Sequence, residues 1–237
     1  MDTSHYWFQF GTWGMGIATI LLVILTLNLK KSERFHGYLA ASITALAFCA
    51  YFAMQSGFGA ITLGGHTFQL ARYADWVFTT PLLLLSLLTI ALPAIKNITE
   101  LRARTVLYAS MIGLDVFMII AGVLGELNPG NDKWFWFIVS SIAFVIIPYL
   151  LFTKVMKQSN KLADPAKTSL FRSVAGFLTI LWVIYPIVWY LSPVGTGAIS
   201  ELATNTAYAI LDILAKAVFG LWIVLSLSSR TKSAKEE

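Results

Sequence analysis

The chain has 237 residues, 57% of them hydrophobic and 12% charged, with a mean hydropathy of +0.73 and a formal net charge of +5. A soluble domain carries about a quarter charged residues, so this composition excludes an ordinary soluble globule and points to the membrane class. The single cysteine, Cys49, excludes an internal disulfide and leaves the redox compartment unread.

Seven apolar runs follow one another, at about 7–29, 37–59, 68–92, 103–125, 133–156, 170–191 and 203–227. Each has the roughly 20 residues that a helix needs to cross a bilayer. The expected fold class is therefore an all-α membrane protein of seven transmembrane helices, forming one domain over 1–237. The start MDTSHYWFQF lacks the positive segment of a signal peptide, and the first run is long enough to stay in the membrane. Lys30, Lys31 and Arg34 follow the first run, and Lys96, Arg102 and Arg104 the third. Lys154, Lys157, Lys161, Lys167 and Arg172 surround the gap after the fifth, and Arg230, Lys232 and Lys235 end the chain. Fourteen of the 17 basic residues thus fall on one side, with Lys133 alone in the opposite loops. The positive-inside rule then sets the N-terminus outside and the C-terminus in the cytoplasm of a multi-pass protein of the cell membrane. The pI near 9.3 is read as this topology signal; the expected partner is membrane lipid, and no nucleic acid is expected.

Between the second and third runs, AITLGGHTF (60–68) alternates weakly around Gly64-Gly65 and reads as a small hairpin on the outer face. The sequon Asn97-Ile98-Thr99 falls on the cytoplasmic side and is expected to be unused. The longest polar gap, KQSNKLADPAKTS (157–169), joins the fifth and sixth runs. Trp7, Trp13, Trp134, Trp136 and Tyr190 are placed near helix ends as interfacial aromatics. Pro81, Pro148 and Pro186 fall inside helices, where membrane segments tolerate them.

Five ionisable residues lie within the apolar runs: Arg72 and Asp75 in the third, Asp115 in the fourth, Asp212 and Lys216 in the seventh. Each costs about 2.5–3.5 kcal/mol or more in hydrocarbon, so each is expected to face the interior and find a partner. Arg72 and Asp75 are i,i+3, and Asp212 and Lys216 are i,i+4; each pair shares a helix face. If the third and seventh helices meet, two cations and two anions make a neutral cluster. One reading is an ion-pair network that only fixes packing. Buried pairs rarely add net stability, however, and a lone lysine among apolar residues is the setting that activates an amine for Schiff-base chemistry. Asp115 has no cation near it in sequence. Desolvation favours its neutral form, and it reads as a hydrogen-bonded acid that helps to pack the fourth helix.

The stretches ARYADWVFTTPLLLL (71–85), GLDVFMIIAG (113–122), LWVIYPIVW (181–189) and LDILAKAVFG (211–220) closely resemble the third, fourth, sixth and seventh helices of microbial rhodopsins, nearest to the bacteriorhodopsin-like proton pumps. The resemblance covers essentially the whole chain. It implies all-trans retinal bound covalently to Lys216 as a protonated Schiff base, with Asp75 as primary proton acceptor and Asp212 as second counterion. Arg72 corresponds to the arginine that stabilises both carboxylates from the outer side. Trp76, Trp182, Tyr185 and Trp189 correspond to the walls of the retinal slot, lined further by Thr80, Leu83, Met118, Gly122, Ser141, Pro186 and Ala215. Tyr51 and Tyr185 correspond to tyrosines that hydrogen-bond around the aspartates. Homo-oligomers, trimers or pentamers, are common in the family; no transducer is readable. Neither an enzyme activity nor a metal site is expected.

The chain departs from the pump pattern at Ser86, which makes the motif Asp75–Thr79–Ser86 where such pumps usually carry a carboxylate as cytoplasmic proton donor. A serine hydroxyl cannot serve as that donor, so reprotonation is expected to be slow. His36 is the nearby group with a suitable titration range, although a solvated interfacial histidine is the plainer reading. The paired outer glutamates of the family correspond to Val194 and Thr204. Glu201 is read as a solvated loop residue and His66 as a surface-loop histidine. The expected function is a light-driven outward proton pump. The alternative is a sensory photoreceptor, which Ser86 favours and Ala215 and Asp212 disfavour. A chloride pump is disfavoured by Asp75, and a sodium pump by the absence of its Asn-Asp-Gln pattern.

Overall fold

The computed structural model describes residues 3–63, 65–92, 98–128, 130–161 and 164–236, with side chains left undescribed for Thr3 and for 230–236. Among the described residues seven helices are long and apolar enough to cross a membrane. The first runs Thr3–Leu27, the second Arg34–Gln55, the third Leu70–Ala91 and the fourth Ile98–Leu127. The fifth spans Asp132–Ser159, the sixth Pro165–Leu191 and the seventh begins at Glu201 and runs, past one change of winding, to Glu236. The expected runs and the helices coincide to within a few residues. The seventh helix runs on to Glu236, beyond the expected end near 227, and the fourth begins at Ile98, so Arg102 and Arg104 lie inside its first turns and not in a connection. Amphipathic arginine stems make this possible, and Arg104 is buried in an ion pair with Glu100 one turn before it.

Two helices change winding within the bilayer-length span. The fifth takes a π turn at Leu151–Val155 and the seventh at Ile213–Val218. A π turn inserts an extra residue into the ladder and is often found at functional sites. The second of these holds Lys216. No residue type in ILAKAV announces it.

The hairpin forms as expected. Strand β1 (Ala60–Leu63) pairs antiparallel with β2 (His66–Gln69), with Leu63 opposite His66. A two-residue connection needs positive φ to match the strand twist, and Gly65 has φ +84°. Gly64 lies outside the described residues, as do Lys96 and the Asn97 of the sequon.

The chain divides into two units, one of residues 1–79 with 178–237 and one of 80–177. In the first unit, small residues let helices approach closely, as membrane interfaces require. A Cβ at Gly11 would stand 2.1 Å from Cδ1 of Tyr51, and one at Gly37 would stand 2.0 Å from the Thr26 hydroxyl. The Thr19 hydroxyl donates to Thr44 across the first and second helices at 2.8 Å. Arg34 opens the second helix and donates to the carbonyls of Leu29 and Leu27, at 3.2 and 2.8 Å. It thereby satisfies carbonyls that the first helix leaves open at its end.

Pro81, Pro148 and Pro186 lie inside helices. Among the aromatics placed at helix ends, Trp13 differs: it stands well inside the first helix and is 69% exposed. An apolar ring on a lipid-facing side needs no interface, so its position is set by the helix face and not by an end.

Candidate functional site

In the first unit the third and seventh helices meet through their charges. The ammonium of Lys216 is hydrogen-bonded to Oδ2 of Asp75 and lies 3.0 Å from Oδ1 of Asp212. All three residues are buried. The lysine offsets one of the two negative charges, and hydrogen bonds to the carboxylates help to make the burial of the three groups tolerable.

The two carboxylates are held differently. Asp212 accepts from Tyr51 Oη on Oδ2 at 2.8 Å, and on Oδ1 from Tyr185 Oη at 2.8 Å and Trp76 Nε1 at 3.2 Å. Asp75 is held differently: its Oδ2 takes the lysine, and among the described residues its Oδ1 is buried without a hydrogen-bond partner. Thr79, one turn on, spends its hydroxyl on the Asp75 backbone carbonyl at 2.8 Å.

Aromatic rings surround this centre. Trp76 packs edge-on against Tyr185 and Tyr208, with centroids 5.3 and 5.1 Å apart, and those two tyrosines stack at 5.7 Å. Trp182 and Trp189 are buried on the sixth helix, with Tyr185 and Pro186 between them in sequence and partly buried; Ala215 is buried beside the lysine. The first unit therefore brings Lys216, Asp75, Asp212, Trp76, Tyr51 and Tyr185 together, with Thr79 one turn on from Asp75.

Arg72 is placed otherwise. It is buried, but its Nη2 donates to Asn205 Oδ1 at 2.8 Å, and its guanidinium faces the Tyr208 ring at 4.9 Å. Among the described residues it forms no ion pair with Asp75 or Asp212, so direct contact within the expected four-charge cluster joins Lys216, Asp75 and Asp212 only. A buried guanidinium can be satisfied by an amide oxygen and an aromatic face in place of a carboxylate. Sequence reading missed Asn205 and Tyr208. The signal was present: 205, 208, 212 and 216 form one stripe of the seventh helix at i, i+3 and i+4 spacing.

The second unit carries the other named residues. The Thr80 hydroxyl donates to Asp115 Oδ2 at 2.7 Å, and Asp115 is fully buried. Leu83 is buried; Met118, Gly122 and Ser141 are partly so. The carbonyl of Met118 accepts from Ser140 at 2.9 Å. Ser86 is fully buried, and its hydroxyl has no hydrogen-bond partner among the described residues.

Three expectations about peripheral groups are corrected. His36 is buried, with Nε2 3.6 Å from the Glu33 carboxylate and its ring edge-on to Phe35; a carboxylate neighbour allows an imidazole to leave solvent. His66 is buried as well, on the covered side of β2. Glu201 is the first residue of the seventh helix, where a carboxylate suits the helix dipole, and its Oε2 accepts from the Thr67 backbone N–H of the hairpin at 3.3 Å. Val194 and Thr204 are buried.

Seven membrane-length helices among the described residues, and in the first unit a buried lysine flanked by two carboxylates and aromatic rings, define a membrane protein of the rhodopsin class. The family model described as bacteriorhodopsin-like protein matches residues 2–229. The chain belongs to the bacteriorhodopsin-like family. It is 36% identical to the bacteriorhodopsin of Haloterrigena sp. (strain arg-4) over 231 residues, covering 94% of this chain and 87% of that one. It is 28% identical to sensory rhodopsin-2 of Haloarcula vallismortis over 239 residues, covering 100% and 97%. Among solved structures it is similar to the thermophilic rhodopsin of Rubrobacter xylanophilus, with a TM-score of 0.89, 35% identity and coverage of 95% and 97%. Homologues thus include proton pumps and sensory rhodopsins, and the chain is a multi-pass protein of the cell membrane.

The family implies a retinal chromophore, and the residues present fit one. A cationic nitrogen at Lys216 has two carboxylates as counter-charges, and Asp75 Oδ1 is a buried acceptor that takes no hydrogen bond among the described residues.

Proposed function

We propose that the chain is a light-driven outward proton pump, a single retinal-binding domain over 1–237 with its N-terminus outside and its C-terminus in the cytoplasm. Lys216 would hold all-trans retinal as a protonated Schiff base, with Trp76, Trp182, Tyr185, Pro186, Trp189 and Ala215 of its own unit as walls; the resemblance also assigns Thr80, Leu83, Met118, Gly122 and Ser141 to the lining. The observation that carries this reading is the Lys216 ammonium in contact with both Asp75 and Asp212. Bound retinal supplies light absorption and a cationic nitrogen whose proton affinity changes on isomerisation.

The chain's own residues divide the remaining work. Asp212 holds fixed negative charge, because protonating it would set a proton against three donors that already point at it. Asp75 is the proton acceptor, since its buried Oδ1 faces no donor among the described residues that a proton there would displace. Tyr51, Tyr185 and Trp76 fix the Asp212 carboxylate. Thr79 is tied to the Asp75 carbonyl and steadies the turn on which the acceptor sits. Ser86, at the position of the family's donor by resemblance, offers a hydroxyl that cannot release a proton at working pH, so the return proton comes from bulk water through a slow step. Copies of the chain are inferred from the resemblance to assemble in the lipid as trimers or pentamers.

Illuminating an unbuffered suspension of cells that express the chain with all-trans retinal tests the reading. External acidification that a protonophore abolishes supports it; alkalinisation or no change overturns outward pumping. Lys216→Ala should give no visible pigment, and retained colour would remove lysine from the role.

Ser86 also favours a second reading, a sensory photoreceptor acting on a partner protein, and a sensory relative aligns over the full chain. An unchanged external pH together with an intact photocycle would favour the sensor.

A further inference from the structure

Arg72 is the second buried cation of the first unit, and its surroundings are unusual for one. A buried charge normally pairs with the opposite charge. Asp75 is one turn away on the same helix, and its Oδ1 is buried with no donor. Arg72 nevertheless donates to the amide oxygen of Asn205 at 2.8 Å, and its Nε is left buried without a hydrogen-bond partner. The amide that captures it is itself fixed: Asn205 is 2% exposed, and its Nδ2 donates to Ser4 Oγ at 3.3 Å. Both ends of that amide are therefore committed, and the Tyr208 face at 4.9 Å completes the seat.

We propose that Asn205 is a positioning residue that holds Arg72 away from Asp75 and Asp212, so that the Lys216 nitrogen faces two carboxylates not shared with a second cation. The consequence for colour rests on the reading of Lys216 as the retinal-bearing lysine; the seating of Arg72 does not.

Removing the amide frees the guanidinium to turn back toward the unpartnered oxygen of Asp75. A second cation at the carboxylates weakens the negative charge felt at the Lys216 nitrogen. Light absorption by such a chromophore moves positive charge away from that nitrogen, so a weaker counter-charge narrows the energy gap and shifts absorption to longer wavelength. Asn205→Leu, which is nearly isosteric and cannot accept, should therefore red-shift the pigment, and Asn205→Ala should do the same if the leucine variant folds poorly. In an Arg72→Gln background neither substitution should shift the band further. An equal shift with and without Arg72 would overturn the proposal, since a merely structural role of Asn205 does not need the arginine.

A second measurement needs no chromophore. In arginine-labelled apoprotein, the guanidinium resonance that Arg72→Gln deletes should move in solid-state nitrogen NMR on Asn205→Leu or Asn205→Ala, and stay near its place in Asn205→Asp, which retains an acceptor oxygen. A resonance unmoved by Leu and Ala overturns the seating. A wild-type chain that takes up no retinal would count against the proposed function alone, and the resonance would still decide the role of Asn205.

Discussion

Tyr51 donates its phenol hydrogen to Oδ2 of Asp212 at 2.8 Å from a position 161 residues earlier in the chain. Of the donors to Asp212, it is the one on that oxygen; Tyr185, Trp76 and Lys216 all reach Oδ1. Tyr51→Phe therefore leaves a buried carboxylate oxygen without its partner, at about 1–3 kcal/mol. The expected outcome is a pigment that still forms, absorbs at a different wavelength and bleaches faster on heating. Absorption spectra and thermal bleaching rates measure it. An unchanged spectrum and bleaching rate would mean that Oδ2 is satisfied by other means.

Asp75 and Asp212 should respond differently to the same change. Asp75→Asn removes the acceptor but displaces no donor from its Oδ1 among the described residues, so the pigment is expected to form, to absorb at longer wavelength and to move no protons. Asp212→Asn leaves Tyr51, Tyr185 and Trp76 with a group that accepts at one atom in place of two. It is expected to lower the yield and stability of the pigment as well as transport. Pigment yield after reconstitution with retinal and light-driven pH change in the same cells separate the two. Equal pigment yield from both variants would contradict the division of roles.

The helices and the charged pairs were legible in the sequence because both follow from short-range rules. Apolar run length fixes a membrane span, and i,i+3 or i,i+4 spacing puts Arg72 with Asp75 and Asp212 with Lys216 on one face. What spacing could not state is which of those groups touch across helices. Arg72 shares a face with Asp75 and still bonds to Asn205, a choice made by side chains more than 130 positions away. The π turn at Ile213–Val218 was equally hidden, since its residues are ordinary helix formers and the winding is set by packing. His36 and His66 were read as solvated because a titratable ring in a polar stretch usually is; their burial depends on neighbours such as Glu33 and on strand pairing, neither of which periodicity encodes.

Gly11 is a further point where packing supports the site. A Cβ there would come within 2.1 Å of the Tyr51 ring, and that ring carries the hydroxyl bonded to Asp212. Gly11→Ala is expected to force the ring aside at about 1–3 kcal/mol, the usual cost of overpacking, and to alter colour through Asp212. Thermal stability and the absorption spectrum should change together. Gly14→Ala is a useful comparison, because its Cβ would meet the flexible end of Ile213. It should lower stability with a smaller change in colour.

On the proposed pump reading, Ser86 sets the pH dependence of the return step. Its hydroxyl is fully buried and lacks a hydrogen-bond partner among the described residues, so it neither stores a proton nor passes one from a carboxylate beside it. If the proton returns from bulk water, the step is first order in proton concentration and slows as pH rises. Ser86→Asp places a protonatable acid at a site where desolvation favours its neutral form. That acid can then deliver its proton internally and recharge later. Time-resolved absorption should find the return step in the wild-type chain lengthening with increasing pH, and in Ser86→Asp becoming faster and flat over the range in which the introduced acid stays protonated. A wild-type return step independent of pH would place a proton donor elsewhere in the chain. His36→Gln would then be the next variant to time, because His36 and Glu33 are in contact near the start of the second helix.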